Sequence, residues 1–432
     1  MIYNINERPP FGKLIVFSLQ MMLSVFVATT LIASICGVNV SAALVGAGLS
    51  TIIYGLVTGR KSPMFISNSG AFVGPVMIAL AAAGYTGVAI GGLVSCIVYC
   101  IFGLIFTRIS VDKIYNIFPA SLIGSITAVI GLTLMSFIPT YIQINGEASQ
   151  WGIIIALITM FSVAIISHYA KGIGKLLPFL FGTLIGYGVS VILTLTNICQ
   201  LIDFSVFKNI GIFYMPEFAF TKFTKVEFAS LISIIVVYIA YTISAMMECL
   251  SDHAALGGII GKDLYQEPGL GRIFIGEGVA NLVGSAVGGL GQCSYGEGVA
   301  CVGFSKVASR IVVDGAAVIL ALMGFIAPIQ AFIASIPSCV FGGCAMILYG
   351  FISCSGVKML QKVDLSENKN LVIVSVVLSL GVSGVVLGGS TISFSGTALA
   401  LIVGVVLNLV LKNKEKDLDN PIDGQISIFD KE

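Results

Sequence analysis

Four acidic residues stand where an acidic residue is costly. Glu248, Asp252, Glu277 and Glu297 lie in or at the edge of segments that otherwise read as bilayer interior, all within residues 241–310. A carboxylate at the centre of a membrane helix costs roughly 2.5–3.5 kcal/mol on insertion scales, so such groups face polar cavities and take part in function. Asp252 follows Glu248 by four residues, which puts the two on one face of a helix. Two like charges that close do not both stay ionised without penalty, so one of them is a candidate proton carrier. Other chemistries lack their parts. The two histidines, His168 and His253, and the ten cysteines, with no CxxC among them, give neither a metal-site nor a disulfide spacing. No HExxH, Ser/His pairing or Asp-rich metal motif is present. The expectation is therefore not an enzyme, with no metal and no cofactor other than a proton as coupling ion.

The scaffold that must hold these acids is a membrane one. The chain has 432 residues, 57% hydrophobic and only 10% charged, with mean hydropathy +1.04, whereas a soluble domain carries roughly 25% charged residues. A net charge of +1 offers no basis for nucleic-acid binding. Residues 1–11 are polar and too short for a cleaved secretory signal. Apolar runs near the ~20 residues a spanning helix needs occupy 14–36, 40–57, 88–106, 120–137, 152–167, 177–195, 228–250, 272–290, 311–329, 340–353, 371–386 and 392–411. Two further runs are interrupted: 62–84, with Ser67-Asn68-Ser69-Gly70 and Pro75, and the short 292–306. The expected fold is an all-α polytopic membrane protein of fourteen segments. Residues 112–118 read as an interfacial turn, 199–225 as the joint between two halves, and 412–432 as a charged, disordered tail.

Charge placement checks that count independently. With a cytoplasmic N-terminus, all of the 22 basic residues except Lys208, Lys222 and Lys225 fall on the inner side, which puts both termini in the cytoplasm of a cell-membrane protein. Lys306 and Arg310 read as cytoplasmic anchors and Asp314 as an ion-pair partner. The interrupted spans are the third and the tenth, seven apart, so the second half is inverted relative to the first. Paired Gly-interrupted segments of this kind point to a transporter binding site.

If two half-helices start near the midplane, their backbone N–H groups and positive dipole ends converge there. Ser69-Gly70-Ala71-Phe72 supplies one start and Tyr295-Gly296-Glu297 the other. Gly70, Ala71 and Gly296 let a flat ligand approach the backbone, Phe72 offers a stacking face, and Glu248 and Glu297 accept from ring N–H groups. A planar, amide-like heterocycle suits such a lining better than an inorganic anion, which would want Arg or Lys. Plainer readings stand beside these: Glu248 and Glu297 as satisfiers of broken backbone, Asp252 at a helix end by Lys262, Glu277 as an ion-paired group, and Phe72 as core.

The residues then become familiar. Glu248 with Asp252, KDLYQEPGLGR (262–272), SYGEGVACVGFSKVASR (294–310), LQMMLSVFVAT (19–29) and SNSGAFVGP (67–75) resemble the nucleobase–ascorbate transporter family over nearly the whole chain. The resemblance implies two inverted seven-segment repeats. It also implies a core domain (1–110 and 227–330) and a gate domain (111–226 and 331–411), with a tail at 412–432. It implies proton-coupled nucleobase uptake, often as a homodimer, with base binding at Glu248. The substrate signals are mixed. Glu297-Gly298 looks uracil-like at its acid but lacks the usual asparagine, Asp252 and Glu277 look purine-like, and Met21 stands where many members carry histidine. The third-span position whose backbone touches the base is Gly70. The expectation is a proton symporter that prefers an oxopurine such as xanthine or urate. Uracil is the alternative, and an anion exchanger on the same inverted fold is the alternative of another kind. Asp252, Glu277 and Glu297 are the expected coupling residues.

Overall fold

A chain crosses hydrocarbon only as a helix or a closed barrel, because every backbone N–H and C=O must find a partner within the protein. The apolar runs of this sequence take the first course. The computed structural model describes residues 1–108, 119–144, 147–171, 174, 178–208, 210–361, 363–385, 387–388, 393–394 and 396–411. In chain order they form α1 (Phe11–Ile35), α2 (Val40–Val57), α3 (Val73–Phe106), α4 (Ala120–Leu134), α5 (Gln150–Tyr169) and α6 (Pro178–Leu195). A long connection follows, then α7 (Phe228–Ile260), α8 (Leu270–Gly288), α9 (Gly296–Ser305), α10 (Arg310–Met323), α11 (Ala327–Ser335), α12 (Ser338–Leu360), α13 (Asn368–Val382) and α14 (Gly396–Val410). Among the described residues nine helices are long and apolar enough to cross a membrane. The expected fourteen exceeds nine because α3 merges two of the expected crossings and because α9, α10, α13 and α14 have 10, 14, 15 and 15 residues. The expected turn at 112–118 and the tail at 412–432 lie outside the described residues.

Several helices end where the sequence alone did not place the end. α7, expected to stop at residue 250, runs on to Ile260 and terminates at Gly261 with φ +68°. Glu248, Ser251, Asp252 and His253 lower its hydropathy without ending the helix. Within α3 the backbone leaves helical geometry at Ala83 and at Gly84, the latter with φ +58°, a conformation glycine adopts without steric penalty. A Cβ built on Gly87 would stand 2.6 Å from the Ala79 carbonyl oxygen, whereas eight residues of unbroken helix advance about 12 Å. The chain therefore turns back on itself there. The expected span 311–329 is also divided, α10 ending at Met323 and α11 starting at Ala327. The long connection straps that junction through Tyr214 N–H to the Phe325 carbonyl (2.8 Å) and Ala327 N–H to the Ile212 carbonyl (3.0 Å).

The helices pack as two groups. In the first, α8 lies against α2 and α3, α10 against α1 and α2, and α7 against α3. In the second, α12 lies against α4 and α5, α13 against α4 and α14, and α5 against α6. Lipid tails are as apolar as leucine, so membrane helices associate through close approach at small residues. A Cβ on Gly46 of α2 would lie 3.0 Å from the Gly288 amide nitrogen of α8, and one on Gly124 of α4 would lie 3.0 Å from the Gly356 carbonyl of α12. The groups touch where α7 meets α4 and α14 and where α1 meets α12.

Candidate functional site

The two interrupted segments, far apart in sequence, meet inside the first group. β1 (Ile66–Asn68) pairs antiparallel with β2 (Gln292–Ser294): Ile66 opposite Ser294, Ser67 opposite Cys293, Asn68 opposite Gln292. Non-helical backbone at this depth must be satisfied by protein, and here side chains of α2 and α8 do so, while the strands' own side chains tie them to each other and to α1. Thr51 Oγ1 of α2 donates to the Ile66 carbonyl (2.5 Å) and accepts from the Ile66 amide (3.0 Å). Gln292 Nε2 donates to Asn68 Oδ1 (2.7 Å), Asn68 Nδ2 to the Thr29 carbonyl of α1 (3.0 Å), and Asn281 Nδ2 of α8 to the Gln292 carbonyl (2.7 Å).

Arg310 secures the approach to β1. Its guanidinium donates to the carbonyls of Ser62 (3.1 Å), Met64 (2.9 Å) and Thr51 (2.6 Å) and pairs with Asp314 at 2.7 Å. The ion pair with Asp314 is present as expected, but Arg310 is only 2% exposed and is no solvated anchor. Counting charges at helix ends registers sign and not depth, and this arginine is drawn inward by the Ser62 and Met64 carbonyls, which lie outside any helix.

Each strand leads into a helix start. Ser69 caps the 3-10 turn Gly70–Phe72 that opens α3, and Tyr295 precedes Gly296 at the start of α9. Because the strands are antiparallel, the two starts emerge at opposite ends of a ribbon about 10 Å long, each bringing amides and a positive dipole end. α7 supplies one carboxylate to each. Ser69 Oγ accepts from the Ala71 amide at 3.1 Å and donates to Glu248 Oε2 at 3.3 Å. One turn further on, Asp252 Oδ1 would lie 3.9 Å from a Cβ on Gly296. Glu297, in the first turn of α9, is half-buried like Glu248 and Asp252, and Gly296 is exposed. Asp252 lies within electrostatic reach of Glu248, Glu297 and Glu277, and its Oδ2 has no hydrogen-bond partner among the described residues. Gly303 of α9 faces Ile259 of α7, so the ends of these helices run to one side. Toward that side Ser251, Ala255 and Ala300 are exposed, small residues continuing outward from the acids.

Two of the expected site residues stand elsewhere. Phe72 offers no face to a ligand. It is fully buried, its ring 6.1 Å from and nearly parallel to that of Tyr238, with Gly291 directly against it. A residue two positions into a helix start points back into the packing beneath the ribbon. Glu277 is also fully buried, behind the ribbon, where Oε2 accepts from the Ser294 amide at 3.1 Å and Oε1 has no hydrogen-bond partner among the described residues. The spacing arguments missed the link through Ser69, and they missed His253. Cys249 Sγ, a ring nitrogen of His253 and a carboxylate oxygen of Glu277 lie within 4.8 Å of one another, a grouping of metal-binding types. Both imidazole nitrogens are already engaged, Nδ1 with the Cys249 carbonyl at 2.8 Å and Nε2 with Tyr54 Oη at 2.6 Å, so the ring has no lone pair to give a metal.

Known proteins share both the sequence and the shape. A family model described as "Permease family" (Xan_ur_permease) matches residues 12–389. A uracil permease of Bacillus caldolyticus is 32% identical over 425 residues, 97% of this chain and 96% of its own. A uracil permease of Bacillus subtilis (strain 168) is 32% identical over 426 residues, 96% of each. One of Escherichia coli (strain K12) is 30% identical over 415 residues, 94% of this chain and 93% of its own. Among solved structures, the transmembrane domain of a cyanobacterium bicarbonate transporter, BicA, superposes with a TM-score of 0.60 at 15% identity, covering 95% of this chain and all of that one. The murine Slc26a9 anion transporter in its inward-facing state gives 0.68 at 10% identity, covering 94% of this chain and 69% of that one.

Proposed function

The chain belongs to the Xan_ur_permease family of permeases, the nucleobase–ascorbate transporters, a transporter and not an enzyme, and from that premise we propose that it carries uracil across the membrane together with a proton. The observation that carries the reading is the pair of helix starts facing two carboxylates one turn apart on α7. Uracil presents ring N–H groups and carbonyls in alternation. Glu248 and Glu297 accept from the N–H groups, and the amides at Gly70 and Gly296 face the carbonyls; the Ala71 amide, expected beside them, is instead given to Ser69 Oγ. Asp252 and Glu297, half-buried and close to one another, take the proton, with Glu277 behind them.

Uracil replaces the oxopurine preference expected above, and two findings favour the change. The three relatives named uracil permease are 30–32% identical along nearly their whole length. Glu277, one of the purine-like signals, sits behind the ribbon, fully buried against the Ser294 amide. An anion exchanger draws no support from the likeness to anion transporters, which concerns shape alone. The two helix starts are flanked by acids, which would repel an anion.

The wider scheme follows the same reading. Residues 1–110 with 227–330 form the core that holds the base, 111–226 with 331–411 form the gate, and both termini are cytoplasmic. The exposed residues beside Asp252 then open inward. Two copies pair in the membrane, a point that cross-linking in native membranes tests directly. The decisive measurement is uptake of labelled uracil by proteoliposomes under an imposed pH gradient, competed with unlabelled uracil, xanthine, urate, guanine and hypoxanthine. Uracil should compete best, and stronger displacement by xanthine or urate would overturn the assignment.

A further inference from the structure

A cavity of about 700 Å³ lies beneath the long connection between α6 and α7, within the roughly 300–1,000 Å³ of small-molecule sites. Its other walls are the end of α1 at Ser34, the start of α2 at Asn39, α11 at Gln330 and the start of α12 at Phe341. With the termini cytoplasmic, as read above, this cavity lies at the outer face, opposite the side toward which the residues beside Asp252 open. Helix α1 links it to the ribbon. Ser34 is five residues, about 7.5 Å of helix, beyond Thr29, whose carbonyl accepts from Asn68 and whose hydroxyl lies 2.7 Å from that of Ser67. Leu31 and Ala33, between them, are fully buried, so this stretch of α1 is closed by packing.

Part of the polar lining is already engaged. Asn39 Oδ1 accepts from the Ala42 amide at 2.9 Å and caps α2, and Asn39 Nδ2 donates to Tyr214 Oη at 3.1 Å, which ties the connection to α2. Three groups on the lining remain open among the described residues. Tyr214 Oη accepts from Asn39 and keeps its own proton to donate. Lys208, exposed on the connection, forms no ion pair. Gln330 Nε2 donates to the Met323 carbonyl at 3.2 Å, while its Oε1 receives no donor. Two donors and one acceptor complement an edge that reads carbonyl, N–H, carbonyl, which is the imide edge of uracil. An inorganic anion would meet an acceptor at Gln330. We propose that this cavity is a second, outer binding site for the base, which docks there by its imide edge before the central site opens to the outside. Tyr214 and Lys208 donate to the two carbonyls, and Gln330 accepts from the N–H between them. The outer site rests on the uracil reading above and adds a station on the path that leads to the ribbon.

The test is equilibrium binding of labelled uracil to the purified full-length protein, with the central site disabled by Glu248→Gln. The wild type should show two classes of saturable binding, the outer one at least tenfold weaker, and Glu248→Gln should keep only the weaker class. Adding Lys208→Gln, Tyr214→Phe or Gln330→Leu to Glu248→Gln should weaken that class at least fivefold. Each of the three alone should leave the tight class within about twofold of the wild type. Uracil methylated at the imide nitrogen should fail to displace the weak class, and displacement by inorganic phosphate would mark an anion site and overturn the assignment. A single class in the wild type, or a weak class that ignores all three outer substitutions, overturns the outer site and leaves the uracil reading standing. No saturable uracil binding by the wild type overturns the uracil reading, and the outer site with it. If Tyr214→Phe and Gln330→Leu fail to fold, Lys208→Gln, at an exposed position, decides alone.

Discussion

The two interrupted segments are partners in one ribbon yet unlike in chemistry. The first, Ile66–Asn68 with Ser69 and the turn behind it, is neutral. Its polar atoms are serine, asparagine and threonine groups, and an arginine grips the chain just ahead of it. The second, Gln292–Ser294 with α9, is surrounded by acids: Glu297 on its first turn, Asp252 beside Gly296, and Glu277 on the Ser294 amide. A fixed, neutral half suits recognition of a ligand that must bind in the same pose each time. A half lined with carboxylates suits a step in which charge changes.

That contrast can be broken by mutation. The largest effect is expected at Glu248, the carboxylate tied to the neutral half. Glu248→Gln should cut uracil uptake on the order of 100-fold, the loss of about 3 kcal/mol in charge-assisted hydrogen bonding, with normal membrane insertion. Uptake close to wild type would remove Glu248 from the site. Ser69→Ala takes away the hydroxyl that orients Glu248 and should raise KM about tenfold. An unchanged KM in transport assays would mean the carboxylate needs no such partner.

Next come the two glycines at the helix starts. Gly70→Ala pushes a methyl against Ile352 and should raise KM roughly fivefold, about 1 kcal/mol, while Gly296→Ala meets only open contact and should stay within about twofold. Equal losses at the two would erase the asymmetry. The smallest effect on transport is expected from Arg310→Lys. A lysine cannot reach several carbonyls in fixed directions, so melting should fall by about 5 °C with KM unchanged, as thermal unfolding in detergent and uptake would show together.

Much of this arrangement was legible before any coordinates. Serine, glycine and proline marked the first interruption and serine and glycine the second, and burial cost singled out the acids. The pairing of Ile66–Asn68 with Gln292–Ser294 was not legible, since three residues of strand carry no periodicity that names a partner. Nor was depth. Hydropathy ended α7 at residue 250, although a helix tolerates polar side chains that face a cavity, and the inside bias treated Arg310 as surface when it is core. His253 escaped because one position along a helix changes which neighbour a side chain meets, and only the packing of α2 reveals that it meets Tyr54.

The ribbon also has a consequence for how the molecule is made. Asn68 and Gln292, hydrogen-bonded to each other, are 224 positions apart in the chain. At about 5–20 residues per second of synthesis, the first strand waits on the order of ten to fifty seconds in the membrane before its mate is translated. Throughout that interval its amides and carbonyls must be shielded by α1 and α2 or by an insertion factor. Birth is therefore a vulnerable moment for this carrier, and a nascent chain halted before residue 292 should be an early substrate for membrane proteases.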